Sequence, residues 1–300
     1  LPHTLTHDKD ALISFFLTAI ALLAFAANSI FARMALGGDT IDAVSFTTIR
    51  LISGAVTLLV IVLASRKGND LLKGGSWISA AMLFIYALPF SLAYISLDAG
   101  VGALILFASV QITMVGVALV SGDRPHSLEW TGLAFAILGL IYLLTPGLTA
   151  PSLSGAALMA VAGVCWGVYS LRGRKAHDPL ADTAANFIRC VPAALIASAI
   201  FLDEIMLSPR GVILGVMSGA LASGLGYVIW YAALRNLTAT RAATVQLSVP
   251  IIAALGGVIF LSEMLTIRLV LSSLLILGGI ALAISSSRKT ASRIAIKGHD

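Results

Sequence analysis

Five hydrophobic spans between residues 11 and 146 are followed by five more between 153 and 287, and this duplication constrains the fold more than any single residue. An odd number of membrane crossings per unit turns the second copy upside down relative to the first. The expectation is an all-α integral membrane protein. Ten transmembrane helices would form two inverted five-helix repeats around a central cavity, an architecture on which many secondary transporters are built.

Composition supports the membrane reading: 59% of the chain is hydrophobic and 11% charged, more apolar surface than a soluble fold can hide. A helix needs about 20 apolar residues to cross the hydrocarbon layer. Uncharged stretches near that length run from Ala11 to Ala32, Gly74 to Leu97, Ala99 to Gly122, Gly211 to Leu234, Ala242 to Ser262 and Leu269 to Ser287. The longer run from Trp130 to Leu171 is broken by Pro146, Gly147 and Pro151 and holds two spans; Ala43 to Ser65 and Thr183 to Leu202 each carry one arginine, Arg50 and Arg189. Strands of a lipid-facing barrel would alternate every second residue. Runs such as Ala253 to Phe260 do not.

Orientation follows from the basic residues, which concentrate on the cytoplasmic side of short loops. With the N-terminus inside, Lys9, Arg66, Lys67, Lys73, Arg124, Arg172, Arg174, Lys175, Arg235, Arg241, Arg288, Lys289, Arg293 and Lys297 are cytoplasmic, and only Arg33, Arg210 and Arg268 fall outside. Both termini are therefore expected in the cytoplasm, in a multi-pass protein of the plasma (inner) membrane. The predicted organisation is an N-terminal segment 1–10, a first repeat 11–146, a second, inverted repeat 153–287 and a basic tail 288–300. The first ten residues lack the basic start and cleavage site of a signal peptide, so the first span is expected to be retained. The net charge of +5 is accounted for by this loop bias and by a tail able to meet anionic lipid heads; it does not imply nucleic acid.

Enzyme chemistry finds little support. Cys165 and Cys190 lie inside predicted helices and suit inert buried thiols. There is no phosphate-binding loop ending in Gly-Lys-Ser/Thr and no His-Glu-x-x-His; all five histidines fall in loops or tails. The expectation is a chain with no catalytic residues, metal or cofactor, whose partners are a small-molecule substrate and the bilayer; the oligomeric state stays open, a monomer being compatible.

Polar groups inside spans are costly in lipid and tend to face a cavity or a partner helix. Pro250 lacks an N–H and leaves the carbonyl of Gln246 without its helical partner. A side-chain amide and a free carbonyl there would suit an ammonium group. Pro89 and Pro192 free the carbonyls of Ile85 and Ile188 in the same way, so three prolines are candidate hinges. Arg50 and Arg189 sit about 10 Å inside their helices at 1.5 Å per residue, within snorkelling reach of the headgroups, and are expected to snorkel or brace a gate. Tyr86, Trp166 and Tyr169 should lie deep, while Tyr94, Tyr227 and Tyr231 are assigned mainly to the membrane interfaces. Asn28 and Trp230 complete a set of polar tips and aromatic walls suited to small, partly apolar solutes. Gly211, Gly215, Gly219 and Ser223 in one span, and Gly155, Gly163 and Gly167 in another, are spaced for close helix packing. Asp123 and Glu263, at helix ends, are expected to cap or to pair with Arg124 and Arg268.

The halves align in sequence as well as hydropathy: Thr48-Ile49-Arg50 matches Phe187-Ile188-Arg189, Tyr94 to Leu97 matches Tyr231 to Leu234, Asp123 matches Glu263, and Gly139 falls against Gly278 or Gly279. With Trp166-Gly167, Arg189, Ser248-Val249-Pro250, Glu263 and Gly278-Gly279 in the second half, the chain resembles the ten-helix, EamA-type exporters of the drug/metabolite transporter superfamily. The first half departs from that pattern: Ala26-Ala27-Asn28 stands where Trp-Gly is frequent, Gln111 or Ile112 where proline is, and Asp123 where glutamate is. The resemblance adds Gln111 and Ser248 to the candidate substrate contacts. It implies an exporter of small neutral or zwitterionic solutes, amino acids including aromatic ones, working by alternating access.

No Asp, Glu or His lies near the centre of a predicted span, which favours uniport or exchange over proton or sodium coupling. Two other readings stay open. A nucleotide-sugar or lipid-linked-sugar antiporter would need more cavity cations than Arg50 and Arg189; a channel or non-transporting scaffold would lack saturable counterflow.

Overall fold

The computed structural model describes residues 2–65, 74–121, 127–147, 149–173, 176–234, 237 and 239–297. It is built from helices α1 (Pro2–Leu36), α2 (Ala43–Ala64), α3 (Trp77–Ala93), α4 (Ala99–Val120), α5 (Ser127–Leu144), α6 (Leu153–Gly173), α7 (Pro179–Ile200), α8 (Pro209–Val216), α9 (Gly226–Leu234), α10 (Ala239–Gln246), α11 (Ser248–Leu261) and α12 (Ile267–Lys297). Among the described residues nine helical stretches are long and apolar enough to cross a membrane, and α3 adds a shorter apolar helix. Its 17 residues sit at the lower bound for a spanning helix. Large apolar side chains such as Phe15, Val60, Trp77, Ile200 and Ile259 point outward, as lipid contact allows.

Local sequence explains where the helices begin. A helix leaves its first N–H groups unpaired, and a short polar side chain just before it accepts from one of them. Asp42 accepts from the Ser45 N–H, Ser76 from Ser79, Asp178 from Ala181 and Ser208 from Gly211. Pro179 and Pro209 occupy first-turn positions where the missing N–H costs nothing.

Two irregularities stand out. The eighth span widens between α8 and α9 into a nine-residue π-helix, Met217–Leu225, an i→i+5 arrangement that rarely exceeds one turn and is frequent at functional sites. The ninth span breaks at Leu247, between α10 and α11, three residues before Pro250. The kink expected there is present. By contrast α3 and α7 run unbroken through Pro89 and Pro192.

Packing follows a pattern that returns itself when each span is exchanged with the one five later. The pairs α5 with α12, α2 with α7, and α4 with α11 map onto themselves. The contacts of α6 with α3 and α4 map onto those of α1 with α9 and α11, and α3 against α7 maps onto α8 and the π-helix against α2. This is the relation that two equivalent halves require.

Glycine makes these contacts possible, because lipid supplies no hydrophobic drive between helices and cohesion comes from close backbone approach. The row Gly211, Gly215, Gly219 presses on Ile41, Ile49 and the Arg50 carbonyl of α2, while Gly155, Gly163 and Gly167 press on Leu97, Ser109 and Thr113. At the α5–α12 crossing Gly132 and Gly279 face each other, and a Cβ on either would run into the other's carbonyl oxygen. Gly132→Ala is therefore expected to lower stability by about 1–3 kcal/mol, the usual overpacking cost. Gly116→Ala, where nothing lies within 4 Å of the new Cβ, should leave the detergent melting temperature unchanged. Equal melting temperatures for the two variants would refute the tight crossing.

Candidate functional site

One side of the bundle is open and the other sealed. A cavity of about 840 Å³ enters between α3, α4, α6 and α7, lined by Ser76, Ser79, Tyr169, Arg172, Asp182, Thr183, Asn186 and Tyr231 among others. Its polar lining is built by helix spacing. Asp182, Asn186 and Arg189 follow at i, i+4 and i+7 on one face of α7 and hold the segment before α3. Asp182 Oδ1 accepts from the Gly75 N–H at 2.8 Å, Asn186 Oδ1 from the Ser76 N–H at 2.8 Å, and Arg189 Nη1 donates to the Gly74 carbonyl at 2.6 Å. Gly75 has φ of +67°, a left-handed turn that suits glycine. Arg172 donates to the hydroxyls of Ser79 at 3.1 Å and Ser76 at 3.3 Å. Cation, anion and hydroxyls thus surround one space.

Aromatic rings form the floor. Tyr169 stacks on Trp166 with centroids 5.4 Å apart, Tyr227 stacks on Trp166 from another side at 5.4 Å, and Tyr86 tilts against Trp166 at 5.0 Å. Such pairs hold geometry as well as area. Trp230 joins through Phe25, which meets both Trp230 and Tyr227. Below the rings lies a polar knot: Arg50 Nη2 donates to the Tyr86 hydroxyl at 2.7 Å, Asn28 Nδ2 to the same oxygen at 3.4 Å, and the Ser218 hydroxyl to Asn28 Oδ1 at 2.5 Å. Arg50 Nε also reaches the Ser223 hydroxyl at 3.4 Å. Ser218 and Ser223 are five apart, about 140° divergent on an α-helix at 100° per residue. The π-helix narrows that divergence, so both hydroxyls face the knot.

Of the candidates, Asn28, Tyr86, Trp166, Tyr169 and Trp230 come together here. Gln111 lies apart, in a crevice of about 90 Å³ between α4, α5 and α12. Gln246 and Ser248 flank the α10–α11 break, Ser248 donating to the Val245 carbonyl at 2.6 Å, and neither α10 nor α11 lines the large cavity. The break falls where the proline lacks its hydrogen bond, and Gln246 is not among the residues that line the cavity.

Other expectations need correction. Arg50 does not snorkel: at 1% exposure it is turned inward, its guanidinium 4.8 Å from the Phe90 ring centroid and 5.1 Å from that of Tyr86. Arg189 does hold a surface segment, as above, with Trp77 beneath its guanidinium. Tyr227 and Tyr94 are buried inside the bundle, Tyr94 at the end of α3, and Tyr231 lines the cavity with its hydroxyl 3.1 Å from that of Thr183. Asp182 and Arg172 were missed because they sit at helix ends, where charge carries little weight in a hydropathy reading, and Asn186 because a lone amide two turns inside α7 gives no sign of the direction it faces. Asp123 and Arg124 lie outside the described residues.

The opposite face is stitched shut. Asp42 and Met206 exchange hydrogen bonds, Ser208 N–H donates to the Thr40 carbonyl at 3.0 Å, and Ile41 bridges Leu207. Nearby, Arg33 at the end of α1 reaches Glu263 and Asp98, each at 3.5 Å, and both Glu263 oxygens accept from the Ala99 N–H that opens α4. Arg268, expected to pair with Glu263, instead donates to the Thr145 carbonyl. Burial, reinforced by the charge of Asp98, raises the Glu263 pKa despite the Ala99 N–H and Arg33, which pull it down.

A carboxyl whose pKa is raised in the closed form binds protons better there than when open to water, so acid favours closure and the penalty appears as pH rises through the raised pKa. Glu263→Gln removes that penalty. With Cys165 and Cys190 replaced by alanine and a cysteine at the buried Leu97, labelling by an impermeant maleimide at pH 7.5 should be a few-fold slower in Glu263→Gln than with Glu263 present. The difference should shrink as pH falls into the ordinary carboxylate range. Faster labelling of the glutamine variant would mean that the Arg33 ion pair outweighs burial.

Comparison with known proteins agrees with this geometry. The model of the EamA-like transporter family matches residues 153–285, the half that carries Trp166-Gly167 and Ser248-Val249-Pro250. An uncharacterized protein of Pseudomonas aeruginosa is 47% identical over 277 residues, 92% of this chain and 96% of that one. The threonine/homoserine exporter RhtA of Escherichia coli K12 is 33% identical over 160 residues, 51% of this chain and 52% of its own length. A solved crystal structure with TM-score 0.62 covers 90% of this chain and 97% of its own at 17% identity, a likeness of fold. The chain belongs to the EamA-like transporter family.

Proposed function

We propose that this transporter exports small zwitterionic solutes, amino acids including aromatic ones, by alternating access, with the present structure open on the side of its termini. The observation that carries this reading is the one-sided cavity, in which Arg172, Asp182 and a ring of hydroxyls face an aromatic floor while the opposite face is closed by Arg33, Asp98 and Glu263. An α-carboxylate and an α-ammonium need one cation and one anion in reach, and a side chain of either apolar or hydroxyl character finds matching walls. The threonine/homoserine exporter named among the relatives points the same way, for the half of the chain that it matches.

The self-matching contact pattern supports two inverted repeats as the moving parts. The excess of lysine and arginine on the mouth side supports a cytoplasmic mouth with both termini on that side. An inward-open cavity is where an exporter collects its cargo. Export would run as uniport or exchange, since Asp182, the only carboxylate among the described residues that line the cavity, already accepts a backbone N–H at the rim.

Counterflow of labelled threonine, homoserine and phenylalanine in proteoliposomes tests the reading: preloaded unlabelled amino acid should accelerate uptake, without an imposed pH gradient. Asp182→Asn is expected to cut counterflow by about tenfold or more, the worth of a charge-assisted contact. Gln246→Ala, off the cavity wall, should retain most of it. Uniform, non-saturating flux would mark a pore instead, and no flux of any amino acid would end the proposal.

A further inference from the structure

We propose that Arg50 is the docking group for the cargo's carboxylate, reached when the Tyr86–Trp166–Tyr169 stack between it and the open cavity parts. The inference deepens the reading of the chain as an amino acid exporter and names a second station on the path, inward of the cavity that Arg172 and Asp182 line.

The argument begins with an electrostatic imbalance. Arg50 is enclosed at the level of the aromatic floor, and its three nitrogens are unequally served. Nη2 has the Tyr86 hydroxyl, Nε has a long contact to the Ser223 hydroxyl, and Nη1 is buried with no hydrogen-bond partner. Every acceptor in this set is neutral. The ion pairs of Arg33 with Asp98 and Glu263 lie elsewhere, at the sealed face. Two ring faces, those of Tyr86 and Phe90, supply the remaining stabilisation, which cation–π contact provides only in part. A guanidinium held in lipid without an anion is costly, and a planar fork with one free edge is shaped to take a carboxylate.

The rings lead from solvent to that edge. Tyr169 is on the cavity wall, Trp166 stacks on it, Tyr86 leans on Trp166, and the Tyr86 hydroxyl holds Arg50. A carboxylate arriving at Arg50 competes with the Tyr86 hydroxyl for the guanidinium and so loosens α3 from α2. The cargo then serves as the counter-ion that this site lacks, and its ring or aliphatic portion lies against Trp166 and Tyr227. The glycine contact of Gly219 on the Arg50 carbonyl holds the α2 backbone in place while the side chain changes partner.

The test separates the carboxylate from the amino group. Full-length protein in detergent is titrated with 3-phenylpropionate and with 3-phenylpropanamide, its uncharged isostere, reading melting temperature and tryptophan fluorescence. The acid should bind about tenfold tighter than the amide or better, the value of a hydrogen bond to a charged group. Arg50→Gln should erase that ratio, and Arg50→Lys should keep only part of it, because an ammonium retains the charge but not the fork. A ratio near one in the unaltered protein, or one that persists in Arg50→Gln, overturns the proposal. Should Arg50→Gln fail to fold, Tyr86→Phe decides: it keeps the charge and removes its competing acceptor, so acid binding must tighten, and unchanged binding overturns the proposal. Because this readout needs no transport, an acid preference that depends on Arg50 stands even if no amino acid shows counterflow, which would defeat the export reading alone.

Discussion

Close backbone contact is the constraint on which this bundle rests. In water a helix pair is driven together by the apolar surface it buries, but here lipid tails are as apolar as the side chains, and approach must be made favourable by fit. Rows of glycine do this at the crossings of α2 with the eighth span, α4 with α6 and α5 with α12. The first of these crossings brings the π-helix against α2 at the Arg50 carbonyl. Packing and site geometry are therefore one arrangement: the contact that joins the helices also fixes where the buried guanidinium sits.

That rigidity contrasts with the faces at its two ends. The sealed face is held by polar contacts between loops and helix ends, mostly single hydrogen bonds and ion pairs at 3.5 Å. Individually such contacts contribute little, and they can exchange for water without exposing backbone to lipid. The open face is already lined with groups of the same kind, on α3 and α7. A molecule with stiff glycine-packed crossings between weakly tied ends is suited to rocking, because the cost of opening falls on contacts that water can replace.

How much of this the sequence discloses depends on the kind of signal. Spans were legible because twenty apolar residues have few other uses, and the expectation of a repeat, with which the packing is consistent, came from paired landmarks such as Arg50 and Arg189, or Tyr94 and Tyr231, that recur in order. The glycine rows were legible from their four-residue spacing. Side-chain direction was not: Arg50 lies at a depth from which snorkelling and burial are both feasible, and only the rings of Tyr86 and Phe90, brought by another helix, decide between them. Gln246 misled for a related reason. A proline predicts a lost hydrogen bond, but not which side of the bundle the freed carbonyl faces. The π-helix left only a run of small residues, Ser218 to Gly226, as its trace.

The two arginines that the repeat pairs now occupy unlike surroundings, and that difference has a physical reading. Arg189 holds a surface segment at the open end, in reach of water, whereas Arg50 is enclosed near the sealed end among neutral acceptors. Two equivalent halves in one asymmetric state must differ in this way, since each matched residue sees either the open or the closed side of the same cavity. Under the proposed alternating access, exchange of the two conformations would carry Arg50 toward water and Arg189 toward enclosure. A cation that alternates between hydration and burial is costly in one state and cheap in the other, and a bound anion lowers that cost where it is highest. Cargo with a carboxylate would therefore smooth the path between the two states, so that the burial which makes Arg50 expensive also makes it responsive to what it carries.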